Sequence, residues 1–322
     1  MRRVWSRVAI LFSVIAFSTA QGADNKSVTN PGIRVLTYES MLGKHGLGKI
    51  LESEYSAQNQ GARLEFVKVS DLSGILGRLR QDKRKNVVPE YQYVLGLDER
   101  MFVIAKEEGL IEGGVAYDQS LFAVIVDTQK LSENKWPKSW KDLSVKLSGN
   151  LLIEDPRLSS PGIGWLRTIY DFKLLNKKSA AQAVKRVFPS WTAAYGAFTE
   201  GEGVAVWSYL GSEAYHLCNE KPENRTRYRA LPLEEGYPKQ VEYLGRMKSS
   251  SVASAASQDP FEKVLLSKVV QDKIYTTQWM FPVSQEAVPP DCFKGLSVLK
   301  EIKTPSSLNA KSLQSWIDDW AL

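Results

Sequence analysis

Short apolar segments recur along the N-terminal third of the chain and alternate between the spacing of strands and that of helices. Residues 33–37 and 63–69 alternate apolar and polar side chains, which predicts two strands. Between them, residues 48–58 have the spacing of a helix, and residues 73–82 form a second predicted helix. Residues 92–97 are mostly apolar and indicate a buried strand. This β-α-β-α-β order predicts an α/β sheet with crossover helices.

The same alternation continues through the rest of the chain. Strands are predicted at residues 122–126, 151–153 and 204–209. Helices are predicted from about Trp165 and over residues 179–188, 191–199 and 212–219. The C-terminal part is predicted to be helical again and to end in an amphipathic helix around residues 315–321.

The N-terminus has the three-part layout of a secretory signal peptide. Arginines near the start precede a short apolar run at residues 8–17 and small residues at 18–20. Because the run is shorter than the roughly 20 residues that span a bilayer, we predict a cleaved leader at residues 1–20 rather than an anchor. No later segment has the length and apolarity of a membrane span. The sequence therefore predicts a soluble protein exported to the periplasm.

The charge distribution and the two cysteines bear on whether the protein binds nucleic acid or a metal ion. The formal net charge is +6, and part of it belongs to the leader arginines. Basic residues are otherwise scattered, apart from residues 83–85 and 225–229, and no basic stripe alternates with aromatics, so nucleic-acid binding is disfavoured. Cys218 and Cys292 could pair in an oxidising compartment, but their separation in sequence does not decide it. They match no zinc-ligand spacing, and no metal site is predicted.

Several short motifs follow the predicted strands in a fixed order. They are Thr37-Tyr38-Glu39-Ser40, Val69-Ser70-Asp71, the run Y-V-L-G-L-D from Tyr93, the run E-D-P-R-L-S-S-P-G-I-G from Glu154, Ser190-Trp191, Trp207-Ser208-Tyr209, Ser212-Glu213-Ala214-Tyr215-His216 and the run Q-W-M-F-P-V from Gln278. In this order they resemble the periplasmic thiamine-binding proteins of bacterial ABC importers, over about residues 34–320. The resemblance implies an α/β, type II periplasmic-binding-protein fold, in which two mixed-sheet lobes are joined by two crossover strands with the ligand cleft between them.

The resemblance also implies a division of the chain. Residues 24–123 and 241–322 would form the first, discontinuous lobe, and residues 124–240 the second. One crossover strand is expected near residues 122–127 and the return near 241–245. The length that remains after the leader suits two domains. Closure of two such lobes about a ligand is a hinge motion, as in periplasmic binding proteins generally.

The function implied by the resemblance is that of a solute receptor. It would capture thiamine, or thiamine phosphate or diphosphate, and deliver it to an inner-membrane ABC permease. The resemblance implies no cofactor and no catalytic residues, and we expect a monomer.

Thiamine carries a flat aminopyrimidine, a permanently cationic thiazolium and a hydroxyethyl arm. Aromatic faces suit such a ligand, since a cation over a ring gains roughly 0.5–2 kcal/mol and stacking adds about 0.5–1.5 kcal/mol. By resemblance, five aromatic residues fall at ligand-contact positions: Tyr38, Trp191, Tyr209, Tyr215 and Trp279.

Polar candidates lie at strand ends and at one helix start. Asp71 could accept a hydrogen bond from the pyrimidine amino group, cap the helix that follows, or do both, and Asp98 is a further candidate of this kind. By resemblance, the loop containing Ser159, Ser160 and Gly162 receives the thiamine arm, because N–H groups at a helix start suit a phosphate. The alternative is a simple helix cap and a tight turn.

Departures from the family pattern leave the choice of ligand open. His45 lies where the family has Trp, and it could line the cleft or belong to the ordinary surface. Leu72 stands where the family has Gly, and the segment 108–122 is shorter than usual. These changes could favour one form of thiamine or another cationic heterocycle.

Two other functions remain as alternatives. A ferric-iron receptor of the same fold would use adjacent tyrosines, whereas Tyr209 and Tyr215 are six residues apart. A thiamine-degrading enzyme would need a cysteine nucleophile with a nearby base. Cys218 and Cys292 both lie outside the N-terminal motif where such a nucleophile is expected.

Overall fold

The computed structural model describes most of the chain after the predicted leader. The described ranges are residues 32–44, 46–69, 72–248, 260–303 and 309–320. The predicted signal peptide, residues 1–20, lies outside them, as do His45 and Asp71. Within these ranges, no helix combines the length and the apolar character needed to cross a membrane.

Ten strands of the described residues belong to one mixed sheet. They are β1 (Ile33–Tyr38), β2 (Leu64–Val69), β3 (Tyr93–Asp98), β4 (Ile111–Asp127), β5 (Leu151–Glu154), β6 (Val184–Phe188), β7 (Ala205–Tyr209), β8 (Tyr228–Ala230), β9 (Lys239–Met247) and β10 (Phe281–Pro282). Their order is β2-β1-β3-β9-β4-β7-β5-β6, and β8 and β10 also pair with β4. The predicted α/β class is thus confirmed.

Helices connect most of these strands. They are α1 (Gly48–Gln58), α2 (Leu72–Arg84), α3 (Glu99–Glu107), α4 (Trp140–Lys146), α5 (Ser160–Tyr170), α6 (Lys177–Ala183), α7 (Trp191–Thr199), α8 (Leu210–Asn219), α9 (Pro260–Leu265), α10 (Lys268–Thr277) and α11 (Ala310–Asp319). Several begin after an Asp, Ser or Asn whose side chain accepts a hydrogen bond from a first-turn N–H, as at Asp98, Ser159 and Ser190. Such caps satisfy N–H groups that have no partner inside the helix.

Two long antiparallel strands occupy the middle of the sheet. On one side of them β1, β2 and β3 run parallel, and on the other side β5, β6 and β7 do. β4 pairs with β9 over its first part and with β7 over residues 122–126. The crossovers predicted near residues 122–127 and 241–245 fall on β4 and β9, respectively.

The buried side chains form separate apolar clusters on the two sides of β4 and β9. The first cluster packs β1 and β3 against α1, α2 and α10, with Leu36 and Leu51 at its centre. The second contains Trp140, Trp165 and Trp207, together with Leu313 of α11. The lobe boundaries proposed from the sequence remain a prediction.

Three sequence predictions differ from the structure. Residues 179–188 are not one helix, because α6 ends at Ala183 and the V-K-R-V-F segment pairs with β5 as β6. α5 begins at Ser160, before Trp165, because Pro161 fits the first turn of a helix. The described C-terminal part is not continuously helical, because prolines interrupt the segment between α10 and α11, which contains only a short 3-10 helix.

Candidate functional site

Polar and aromatic side chains gather where the parallel strands end. Tyr38 ends β1, Asp98 ends β3, Glu154 ends β5 and Tyr209 ends β7. In open α/β sheets, ligands bind beyond the carboxyl ends of the strands. A direct contact connects the two sides of the sheet here, because the Ser160 hydroxyl donates a hydrogen bond to Asp98 Oδ2.

Tyr38 is held from two sides. Its hydroxyl donates a hydrogen bond at 3.4 Å to Oε1 of Gln278, the residue that directly follows α10. Its ring lies against Gly96, where an added Cβ would be 2.3 Å from the ring atom Cε1. Gly96 has a φ of 95°, a backbone conformation that glycine adopts without strain. The glycine of the Y-V-L-G-L-D motif therefore makes room for the tyrosine of the preceding motif.

Tyr209 contacts two residues that line a shallow cavity, Phe122 and Gln240. Its hydroxyl donates to Gln240 Oε1 at 2.9 Å, and its ring stacks on Phe122 with centroids 5.1 Å apart. The ring of Phe122 covers Gly164, where an added Cβ would lie 2.4 Å from it. The space in this cavity, including the part open to solvent, is about 260 Å³, and its lining includes Phe122, Gln240 and Ser160. Burial raises the pKa of Tyr209, so its hydroxyl remains a hydrogen-bond donor near neutral pH.

Trp191 lies on a second aromatic surface, at the start of α7. Its Nε1 donates to Ser208 Oγ at 2.7 Å, and its ring stacks on Tyr195 with centroids 5.0 Å apart. Behind it, the Tyr195 hydroxyl and His216 Nε2 are 2.9 Å apart. Burial lowers the pKa of His216, which favours the neutral imidazole. With 38% of its surface exposed, Trp191 still presents a ring face to solvent.

Tyr215 and Trp279 form an aromatic pair beside this surface. Their ring centroids are 5.2 Å apart and their planes are nearly perpendicular, and 43% of the Tyr215 surface is exposed. Trp279 has a φ of 54°, and its carbonyl oxygen lies where a Cβ on Gly211 would stand, at 1.6 Å. Because Trp279 directly follows Gln278, the partner of Tyr38, the two groups of aromatic side chains are neighbours.

The serine loop combines capping with tight packing. Ser159 Oγ accepts a hydrogen bond from the N–H of Gly162 at 3.1 Å, which matches the alternative of a helix cap. Gly162 packs on the loop before it, and an added Cβ would lie 2.6 Å from backbone atoms of Pro156. A role of this loop in holding the thiamine arm remains a prediction, as do the roles of Asp71 and His45.

Three buried carboxylates at this site were missed by the sequence interpretation: Asp118, Glu154 and Glu242. Glu242 accepts from Tyr117 Oη at 2.7 Å and from Gln240 Nε2 at 3.2 Å, and burial raises its pKa to about 7. Burial also raises the pKa values of Asp118 and Glu154. A signal was available for Asp118 and Glu242, because neither has a second acid beside it in its strand, whereas Glu154 is followed directly by Asp155. Among the described residues, no group of three or more His, Cys, Asp or Glu is placed to hold a metal ion.

The two cysteines are joined in a disulfide. Cys218 lies near the end of α8 and Cys292 in a short 3-10 helix, with their Cα atoms 5.3 Å apart. The pairing that the sequence left open is thus settled. The disulfide ties the 3-10 helix to the helix that carries Tyr215, and Phe293 packs beside it.

Comparisons with known proteins identify the class and then the family. No family model matches the chain. A solved structure titled periplasmic thiamin binding protein has a TM-score of 0.72 and 27% identity, covering 90% of this chain and 95% of that one. The ferric binding protein from Campylobacter jejuni has a TM-score of 0.71 at 12% identity, covering 89% of this chain and 99% of that one, and supports the fold alone. The protein therefore has the two-lobed type II periplasmic-binding-protein fold.

Curated relatives give the family. The thiamine-binding periplasmic protein of Escherichia coli (strain K12) is 31% identical over 316 residues, or 90% of this chain and 92% of the relative. The protein of the same description from Brucella abortus biovar 1 (strain 9-941) is 29% identical over 339 residues, or 96% of this chain and 95% of the relative. The chain belongs to the family of thiamine-binding periplasmic proteins, and it is periplasmic.

Proposed function

We propose that this protein binds thiamine, or a phosphate ester of thiamine, and delivers it to an inner-membrane ABC permease as a monomeric receptor. The observation that carries the proposal is the group of aromatic side chains formed by Trp191, Tyr215 and Trp279. Trp191 and Tyr215 expose ring faces, and Trp279 packs edge-on against Tyr215. Such faces suit a flat cationic heterocycle through stacking and cation–π attraction.

The contacts of two cysteines and two tyrosines favour thiamine binding over the two alternatives, a thiamine-degrading enzyme and a ferric-iron receptor. A cysteine nucleophile must be a thiolate, whereas Cys218 and Cys292 are bonded to each other. An iron site needs tyrosine oxygens that converge on the metal ion. Here the Tyr209 hydroxyl donates a hydrogen bond to Gln240, and the Tyr215 ring packs against Trp279. We therefore propose that the protein has no catalytic activity and no bound cofactor.

The test is a calorimetric titration of thiamine into the mature protein after unfolding and oxidative refolding, which removes ligand retained during purification. We expect saturable one-to-one binding with a dissociation constant of about 1 µM or below, or about −8 kcal/mol. Thiamine monophosphate and ferric citrate are titrated in parallel. Binding of ferric citrate without binding of thiamine would favour the iron-receptor alternative and contradict this proposal.

Loss of either member of the exposed aromatic pair should weaken binding. Tyr215→Ala or Trp279→Ala is expected to reduce thiamine affinity about tenfold or more, since each removes a stacking face and a cation–π partner. Isothermal calorimetry measures the change, and circular dichroism checks folding. Trp316→Ala is the matched control, because Trp316 stacks on Tyr170 in a different part of the protein. A folded Tyr215/Trp279 double variant with unchanged affinity would refute the assigned site.

A further inference from the structure

Two buried acids face each other on the central strands. In the antiparallel pairing of β4 and β9, Asp118 is the direct partner of Glu242, and the register shifts at Tyr117. Asp118 is 0% exposed and Glu242 7% exposed. Like charges directly opposite each other destabilise a sheet, and a buried carboxylate is stable as an anion only beside a compensating positive charge. The pair therefore cannot be fully ionised without a nearby cation.

The described residues supply no such cation. Throughout the described ranges, neither Asp118 nor Glu242 forms an ion pair with a Lys, Arg or His side chain, and Asp98 and Glu154 form none either. Glu242 is at least hydrogen-bonded, but neither carboxylate oxygen of Asp118 has a hydrogen-bond partner. A buried polar group left without a partner is costly and rare, which points to a missing partner at Asp118.

Among the described residues, the polar groups that interact with the pair are hydroxyls, amides and further acids. Tyr38 of β1 interacts electrostatically with both acids, and Tyr117 of β4 donates to Glu242. Asp98 of β3 and Tyr209 of β7 interact with Glu242 as well, and Glu154 of β5 lies near Tyr209. Gln240 and Gln278 supply only neutral amides. Tyr38 and Tyr209 are also predicted ligand contacts, so the pair adjoins the proposed site.

We propose that the Asp118–Glu242 pair is the counter-charge for the permanently cationic thiazolium of thiamine, and that thiamine binding expels a proton which the pair holds in the free protein. The free pair holds one proton and one negative charge. When the cation enters, the O–H bond breaks, the electron pair stays on the carboxylate, and the proton passes to solvent. This inference rests on thiamine being the ligand, as proposed above.

Proton release makes the affinity depend on pH with a defined sign. Burial holds the pKa of Glu242 at about 7 and that of Asp118 above its usual range, and a bound cation lowers both pKa values. Below the raised pKa the pair must lose a proton to bind, so the affinity for thiamine rises with pH, by at most about tenfold per pH unit for one proton.

The experiment counts protons by calorimetry. Thiamine is titrated into the refolded wild-type protein at about pH 7 in phosphate, HEPES and Tris, whose ionisation enthalpies differ, and the slope of observed heat against ionisation enthalpy gives the protons released. We expect a release of up to about one proton. An analogue in which a neutral thiophene replaces the thiazolium should release none and bind at least about tenfold more weakly, because it carries no charge to compensate.

Variants separate the role of charge from that of folding. The Asp118→Asn variant should be at least as stable as wild type, because the substitution removes an uncompensated buried acid. On binding thiamine it should release fewer protons, and its affinity should be at least about tenfold weaker. Glu52→Gln removes an exposed carboxylate of α1 and should change neither quantity. If thiamine binds without proton release and the neutral analogue binds equally well, the inference is overturned while the proposed function stands. If wild-type protein binds no thiamine at all, both are overturned.

Discussion

Gly211→Ala should reduce thiamine affinity by about 100-fold or more, because the new methyl group would take the place of a backbone atom of the site. Its Cβ would lie 1.6 Å from the carbonyl oxygen of Trp279 and 2.8 Å from the carbonyl carbon. Backbone atoms cannot rotate away as the end of a flexible side chain can, so the loop must move. Trp279 has a φ of 54°, which costs a non-glycine residue about 1–2 kcal/mol and leaves little freedom to adjust. The aromatic pair with Tyr215 would then be lost.

The loss of affinity is measured by calorimetric titration of thiamine. Thermal unfolding is a second readout, and overpacking is expected to lower the free energy of unfolding by about 1–3 kcal/mol or more. Gly77→Ala is the matched control, because Gly77 is exposed within α2 and an added Cβ meets nothing within 4 Å. There alanine should stabilise the helix by about 0.5–1 kcal/mol and leave thiamine affinity unchanged. Normal binding by Gly211→Ala would show that this close approach does not fix Trp279.

The need for glycine at position 211 could not be predicted from the sequence, because it arises from a contact between residues that are far apart in the chain. Local pattern places Gly211 at the start of α8 and Trp279 after α10, but their contact exists only in the folded chain. Many of the strands and helices were predictable, because each depends on near neighbours in sequence. α3, α4, β8 and the first part of β4 were not predicted. β6 was predicted as part of a helix, since its pattern of two exposed charged residues between apolar ones fits a helix until β5 is present to pair with it.

The carboxylates were missed for a related reason. In an alternating strand a single acid is normally interpreted as a solvent-facing position, and β9 alternates in this way through Glu242. Whether that face meets water or another element depends on tertiary packing, which here covers it with Tyr117 and Gln240. The aromatic candidates were predicted because the family resemblance supplied long-range information that periodicity lacks. Their assignment as ligand contacts stays a prediction, and the Tyr215 and Trp279 variants test it for that pair.

Reduction of the Cys218–Cys292 disulfide should lower the free energy of unfolding by about 4 kcal/mol. The two cysteines are 74 residues apart, and closing a loop of that size removes conformational entropy from the unfolded chain in the chain-entropy account. Denaturant unfolding with and without reductant measures the effect. The double variant Cys218→Ala/Cys292→Ala should match reduced wild type and should not respond to reductant, which controls for other actions of the reductant.

The disulfide should also affect binding, but by less than Gly211→Ala does. Cys218 lies one helical turn beyond Tyr215 on α8, and Cys292 holds that turn against Phe293 and Tyr275. Without the bond, apolar packing still positions α8 in the native state, so thiamine should still bind and raise the unfolding midpoint of the cysteine-free variant. Equal stability of oxidised and reduced wild type would contradict the predicted role. Complete loss of binding in a folded cysteine-free variant would mean that packing alone does not hold Tyr215 in place.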